Sequence, residues 1–187
     1  MNIGSFRSQL DVSWRILRKL KLDEHRNYHP NYPTNPANQF KNLSYIDIWK
    51  ECIKNQYYDM QLNNNSFIQF IVFNYNPLIL SYSFYECPYE CLSFEDFASQ
   101  YFPDLMEQEV ELRQIYEDYL TNCDLKESIT PLRYDFCPEH YQEGLHPASH
   151  IHFGHSSNIR IATKKILKPV SFLLMIRALL QASIAFS

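Results

Sequence analysis

The sequence predicts an α+β fold in which helices pack on a largely antiparallel β-sheet of about six strands. Three observations support this: helical spacing of apolar residues near the start, short aromatic and β-branched segments from Tyr57 onward, and Asn or Pro at the turns between the first of those segments. At 187 residues the chain has the length of one domain. We expect residues 1–187 to form a single domain, with helices over 1–56 and the sheet and further helices over 57–187.

Two helices are predicted before the sheet. Their apolar residues recur every three or four positions, and basic residues lie between them in the first helix. Three prolines between residues 29 and 36 predict a loop that separates the two helices. The apolar positions are Phe6, Leu10, Trp14, Leu17 and Leu20 in the first helix and Leu43, Ile46, Trp49 and Ile53 in the second.

Six segments are predicted as strands because they are rich in aromatic and β-branched residues and are bounded by turn residues. Ser93 and Asp96 resemble a capping box and predict a short helix after the third strand. An acidic helix is predicted from Pro103 to Asn122, and the apolar run over 169–185 predicts a closing helix. The predicted strands are 57–62, 66–75, 78–85, 129–136, 149–153 and 158–162.

Composition excludes several classes of protein. Hydrophobic residues make up 45% of the chain and there are only three glycines, so a disordered or collagen-like chain is excluded. Five scattered cysteines do not form a disulfide framework, and we expect a reduced, cytoplasmic protein. The apolar run over 172–186 contains Arg177 and is shorter than the ~20 residues that cross a bilayer, so no membrane partner is expected.

Charge is distributed unevenly although the net charge is only −4. Residues 1–30 hold six basic and three acidic side chains, residues 84–124 hold one basic and eleven acidic, and residues 158–187 hold five basic and no acidic. Either the basic ends neutralise the acidic middle within the fold, or they share a face that binds phosphates. Nucleic acid therefore stays open as a partner.

Five of the seven histidines fall within residues 140–155. On a strand, His150 and His152 project from the same face, so their imidazoles are predicted to lie side by side. Histidine exchanges a proton near neutral pH and is also a common metal ligand. The pattern fits acid–base chemistry, metal binding with His146, His155 or Asp135 as a further ligand, or hydrogen bonds that only hold a loop.

Arg133 and Asp135 alternate with apolar residues and share one face of the strand before the histidines. If this strand pairs with 149–153, an acid and a guanidinium join the imidazoles, which are the groups that metal-free phosphodiester cleavage requires. The alternative is an ion pair on the face of the strand. The predicted catalytic residues are His146, His150, His152 and Asp135, and the predicted phosphate-binding residues are Arg133 and Arg160.

The segments around these residues resemble a bacterial family known only as domain of unknown function 2290. The resemblance lies in LRYDFCPEH over 132–140, HPASHIHFG over 146–154, and the Ile-Arg-Ile that follows at 159–161 with an apolar helix. Residues 65–73 and 80–88 resemble the middle strands of that family, so the resemblance covers most of the chain after about Tyr57. It implies relatives encoded beside mobile or defence genes, and it implies no activity, since the family has no established one.

Two functions from different classes follow. The first is an accessory component of a defence or toxin–antitoxin-type system, which docks another protein of the same operon through the acidic helix around 104–124 and the apolar tail. The alternative is a small His-dependent nuclease or toxin-like effector that cleaves phosphodiesters, with His150 and His152 as general acid and base. Whether the protein is an enzyme stays open. No cofactor is predicted, and metal binding by the histidines is left open.

Overall fold

Seven strands form one antiparallel sheet in the computed structural model of the protein. The structure describes residues 2–34, 36–105, 108–143, 145–154 and 159–185, without the side chains of 36, 37 and 181–185. Each strand pairs with the next strand along the chain, so the spatial order equals the sequence order. This arrangement confirms the predicted α+β fold and extends the meander to the whole sheet. The strands are β1 (Asp23–Arg26), β2 (Met60–Leu62), β3 (Phe67–Tyr75), β4 (Leu78–Tyr85), β5 (Leu132–Phe136), β6 (Ser149–Phe153) and β7 (Ile159–Ala162).

The strand that sequence analysis missed is β1, which lies within residues 1–56, where two helices and a proline-rich loop were predicted. Its residues, Asp23 to Arg26, are charged or polar, and such a segment has no apolar alternation to reveal a strand. It forms because it pairs antiparallel with β2, placing Arg26 opposite Met60 and Asp23 opposite Leu62. The sheet therefore has seven strands where about six were predicted.

Local signals set the starts of several helices. Ser93 Oγ accepts a hydrogen bond from the Asp96 backbone N–H at 3.0 Å, as the capping pattern predicts. The predicted acidic helix differs at its start, because Pro103–Leu105 forms a 3₁₀ turn and the α-helix begins at Glu109. The α-helices are α1 (Ile3–Lys19), α2 (Pro36–Gln39), α3 (Tyr45–Lys54), α4 (Phe94–Tyr101), α5 (Glu109–Thr121) and α6 (Pro169–Ala185).

One face of the sheet, the core face, is covered by α1 and α6. Alternate residues of β3 to β6 project from this face into an apolar cluster. The closing helix, which was predicted to help dock a partner, exposes Leu174 but buries three apolar residues in this cluster. Among the described residues, no helix combines the length and apolar character needed to cross a bilayer. The most buried members of the cluster include Leu17, Met60, Ile68, Leu80, Tyr82, Leu132, Tyr134, Phe172, Leu173 and Ile176.

The opposite face of the sheet, the second face, changes character along the sheet. Near β3 it is covered by α3, where Trp49 and Cys52 pack with Phe67 and Tyr89 in a separate apolar cluster. Farther along, β4, β5 and β6 place polar and charged residues on the same face. The predicted site residues lie in this polar part of the second face.

Candidate functional site

The register of β4, β5 and β6 brings the predicted residues together. Asp135 lies opposite His150, and Arg133 lies opposite His152. Residues directly opposite one another on neighbouring strands project from the same face. The strand pairing that the sequence analysis required is therefore present, and it places a carboxylate, a guanidinium and two imidazoles in one group.

Asp135 is the centre of this group. Its Oδ2 accepts a hydrogen bond from Arg133 Nε at 2.9 Å and lies 3.1 Å from His152 Nε2 and 3.9 Å from His150 Nε2. Its Oδ1 accepts a hydrogen bond from Ser81 Oγ at 2.7 Å. Burial by itself raises the pKa of Asp135, but the contacts with His152, Arg133 and Ser81 outweigh burial and lower the pKa to about 2. The carboxylate is therefore ionised at neutral pH and accepts hydrogen bonds from Arg133 and Ser81, and from His152 when its Nε2 carries a proton.

His152 is held between a base and a cation. Its Nε2 is 3.1 Å from Asp135 Oδ2 and 3.2 Å from Arg133 Nη2. One ring nitrogen donates to Asp135 when it carries a proton and accepts from Arg133 when it does not, so it satisfies one of these contacts at a time. His152 is only 2% exposed, so both contacts form in a poorly hydrated place.

His150 has a defined tautomer. Its Nδ1 lies 2.8 Å from the carbonyl oxygen of Pro147, which accepts only if Nδ1 carries the proton. The lone pair of the neutral ring is then on Nε2, the atom that faces Asp135. Burial lowers the pKa of His150, because desolvation disfavours the imidazolium. The neutral ring is therefore favoured, and its Nε2 lone pair is available to accept a proton or to bind a cation.

The other predicted residues surround this group. The ring of His146 meets that of His150 edge to face with 4.9 Å between centroids. Within the described part of the chain, His146 Nδ1 is buried without a hydrogen-bond partner. Arg160 is exposed on β7 and lies opposite His152, at the margin of the site. His155, proposed as a further ligand, lies outside the described residues.

Three of these side chains have the geometry of metal ligands. Asp135, His150 and His152 each offer one ligand atom, and the three atoms lie within 4.8 Å of one another. Within the described ranges this is the one such group of three or more His, Cys, Asp or Glu residues. A carboxylate and two imidazoles suit a divalent transition metal.

Comparison with known proteins agrees with the resemblance seen in the sequence. The model of a family described as "Uncharacterized conserved protein (DUF2290)" matches residues 21–179. The chain belongs to the DUF2290 family. The match includes all seven strands and every predicted site residue, whereas α1 lies before it. No curated protein and no solved structure matches the chain.

The site of this DUF2290 protein opens onto a cleft of about 370 Å³. Its floor is the polar part of the second face, where Arg133 and Asp135 lie beside side chains of β3 and β4. Aromatic residues and one lysine from the segment between β1 and α3, together with the first residues of α3, form a wall. The floor includes Gln69, Ser81 and Ser83, and the wall includes Tyr32, Phe40, Lys41 and Tyr45.

The proline-rich loop is fixed over this cleft by Asp59, which no sequence pattern singled out. The Tyr32 hydroxyl donates a hydrogen bond to the Asp59 carboxylate, whose Oδ2 also accepts from the Phe70 backbone N–H at 2.7 Å. Burial raises the pKa of Asp59 to about 6, although both hydrogen bonds act in the opposite direction. The loop was predicted, but its position over the sheet depends on this contact between distant residues.

Sequence analysis also missed the residues of β4 in the site. Ser81 and Ser83 alternate with Leu80, Tyr82 and Phe84, so the strand has a small polar face and an apolar face. That alternation was a usable signal, because small hydroxyl residues on a strand of the sheet centre leave room for a ligand. Their partnership with Asp135 and Arg133 required the register, which the pattern of one strand does not contain.

Proposed function

We propose that the protein is a small phosphodiester-cleaving effector whose substrate binds in the cleft. One observation carries this proposal: Asp135 contacts Arg133 and both imidazoles and also lines the cleft. The chemistry thus lies beside a cavity large enough for a nucleotide unit. Aromatic walls stack with bases, and cations bind phosphates.

Arg133 and Lys41 supply positive charge within the cleft, and Arg160 lies opposite His152 on β7. The Arg133 side chain is 46% exposed, whereas the imidazoles below it are buried. In the proposed mechanism a phosphate draws Arg133 away from Asp135 and opens the path to the histidines. Arg133 then binds the phosphate and, before substrate binds, blocks access to the two histidines.

The cleavage step uses one water molecule. Its oxygen bonds to phosphorus while His150 Nε2 accepts its proton, and the phosphorus–oxygen bond to the leaving group breaks. In the reacting form His152 is an imidazolium whose Nε2 proton points to Asp135, and the leaving oxygen takes that proton, which leaves His152 neutral. Asp135 keeps His152 oriented, and general acid–base catalysis of this kind contributes roughly 10²–10⁴-fold to a rate.

Incubation of the purified full chain with labelled single-stranded RNA and DNA tests the proposal. We expect cleavage by the wild type and at least about a 100-fold loss in the His150→Ala/His152→Ala double variant. Arg7→Gln is the matched control, because this exposed arginine lies on α1, on the other side of the sheet, and its variant should cleave like the wild type. Intact substrates after incubation with the wild type, or undiminished cleavage by a folded double variant, would contradict the proposal.

The accessory role in a defence or toxin–antitoxin-type system stays a proposal for the cellular setting. It is supported by α5, whose outer surface is acidic and exposes Val110 and Ile115. A partner from the same operon and a location in the cytoplasm are likewise predictions. The two functions are compatible, since a toxin-like nuclease needs a protein that restrains it.

A further inference from the structure

We propose that Asp135, His150 and His152 bind one divalent transition-metal ion of the zinc class. The ligand atoms are Asp135 Oδ2, His150 Nε2 and His152 Nε2. Two ligand atoms of a tetrahedral zinc ion, each about 2.1 Å from the metal, lie roughly 3.4 Å apart. The carboxylate-to-imidazole separations of 3.1 and 3.9 Å lie on either side of this value. All three ligand atoms lie within 4.8 Å of one another, so the group is already near the spacing that a zinc ion requires.

In two of the three ligands, the polar atom that would not bind the metal already makes a hydrogen bond that orients the side chain. His150 donates its Nδ1 proton to the Pro147 carbonyl at 2.8 Å, which leaves the Nε2 lone pair facing the site. Ser81 donates to Asp135 Oδ1 at 2.7 Å, which leaves Oδ2 facing the site. Such contacts orient ligands and are a regular feature of metal centres.

The ligand set leaves a fourth position open. Three protein ligands with one open position are typical of catalytic zinc, whereas structural zinc has four protein ligands. His146, whose ring contacts that of His150, has a buried Nδ1 without a hydrogen-bond partner among the described residues, so this atom can contact a water bound to the ion. This inference rests on the same site as the proposed function and deepens it, because a metal-bound water is a stronger nucleophile at neutral pH. With the metal bound, His150 and His152 are its ligands and no longer act as the general base and acid.

Arg133 competes with the ion. Its Nε and Nη2 lie 2.9 Å from Asp135 Oδ2 and 3.2 Å from His152 Nε2, the two atoms that the metal needs. A guanidinium and a divalent cation cannot share these atoms, because they repel one another. The ion must therefore displace Arg133 toward the cleft. Replacement of Arg133 by a neutral side chain is expected to tighten metal binding, which a purely structural ion pair would not predict.

Calorimetric titration of the chelator-treated full chain with Zn²⁺ tests the site directly. We expect one ion per chain, about a 100-fold weaker affinity in Asp135→Asn and in His152→Ala, and an affinity at least as tight as the wild type in Arg133→Gln. His29→Ala, which removes an exposed histidine of the proline-rich loop, is the control and should bind like the wild type. Circular dichroism shows whether each variant is folded, and Asp135→Asn is nearly isosteric.

Two results would overturn the inference: no saturable Zn²⁺ binding by the wild type, or wild-type affinity in folded Asp135→Asn. Cobalt gives a second readout, because Co²⁺ bound at a four-coordinate site with imidazole ligands produces visible absorption that Asp135→Asn should lack. The outcomes distinguish this inference from the proposed function. Zinc binding without cleavage of RNA or DNA contradicts only the proposed function, and cleavage by chelator-treated protein that binds no zinc contradicts only this inference.

Discussion

At β4, β5 and β6 the two faces of the sheet are made from alternate residues of the same strands, yet they have opposite chemistry. In β5, Leu132 and Tyr134 enter the core beneath α1 and α6, while Arg133 and Asp135 project into the cleft. A shift of one residue in register would exchange the two sets. The apolar face thus specifies the register, and the register places the polar groups of the second face. Residues of one face should therefore control stability, and those of the other should control activity.

The largest effect is expected for Phe172→Ala on the core face. Phe172 is 0% exposed, and its ring centroid lies 6.1 Å from that of Phe70 and 5.7 Å from that of Tyr82. Truncation leaves a cavity and should lower the free energy of unfolding by about 3–5 kcal/mol, measured by urea denaturation. Phe73→Ala, at a position that is 56% exposed, should change it by no more than about 0.5 kcal/mol. Equal losses of unfolding free energy in the two variants would contradict the assignment of stability to the core face.

A pH-dependent effect is expected for Asp59, which supports the loop over the cleft. Its pKa is about 6 in the folded state against an ordinary value of 3.8. The stability that this group contributes is full below about pH 4 and is lost as the pH rises through 6, because the folded protein binds the proton more tightly. The free energy of unfolding of the wild type, relative to Asp59→Asn, should fall by about 2 kcal/mol between pH 4 and pH 7. A constant difference over this range would show that Asp59 has no raised pKa.

A moderate effect is expected for Tyr134→Phe, again on the core face. The Tyr134 hydroxyl lies 2.8 Å from Ser149 Oγ and accepts a hydrogen bond from the Leu167 N–H at 3.0 Å. Its removal leaves the partly buried Leu167 N–H without its acceptor and should cost about 1–2 kcal/mol in thermal or urea unfolding. Cleavage of RNA or DNA should be unchanged. A loss of cleavage without a loss of stability would reverse the roles assigned to the two faces.

The smallest effect on the isolated protein is expected for Ile115→Glu. Ile115 is 39% exposed on α5 and does not line the cleft, so its replacement should change the free energy of unfolding by no more than about 0.5 kcal/mol. Co-purification with proteins of the same operon should be lost if α5 is the docking surface. Arg7→Gln on α1 serves as the surface control. Unchanged co-purification of Ile115→Glu with a partner would exclude α5 as its docking surface.

The strands that form the site were predictable because their alternation is strong. Apolar residues at 132, 134 and 136 and at 151 and 153 predict which side chains share a face, and the pairing of these strands then follows from an antiparallel sheet. By contrast, β1 has no apolar alternation and is a strand only through its pairing with β2. The prediction thus succeeded where the signal is local and failed where the structure depends on a distant partner.

The same reason explains which site residues were missed. Ser81 joins Asp135 through a register that aligns residues 54 positions apart in sequence. Tyr32 reaches the cleft because Asp59, on the far side of α3 in the chain, accepts its hydroxyl. Neither contact has a periodicity that could reveal it. The histidines were found because two of them alternate on one strand, which is a local pattern.

The most direct test of whether the second face carries the activity compares two adjacent residues of β5 that project from opposite faces. The measurement is the rate of single-stranded RNA cleavage by Asp135→Asn and by Tyr134→Phe, with circular dichroism to verify the fold of each. We expect about a 100-fold or greater loss of rate in Asp135→Asn and a wild-type rate in Tyr134→Phe. A wild-type rate in folded Asp135→Asn would contradict the claim that the second face of the sheet carries the activity.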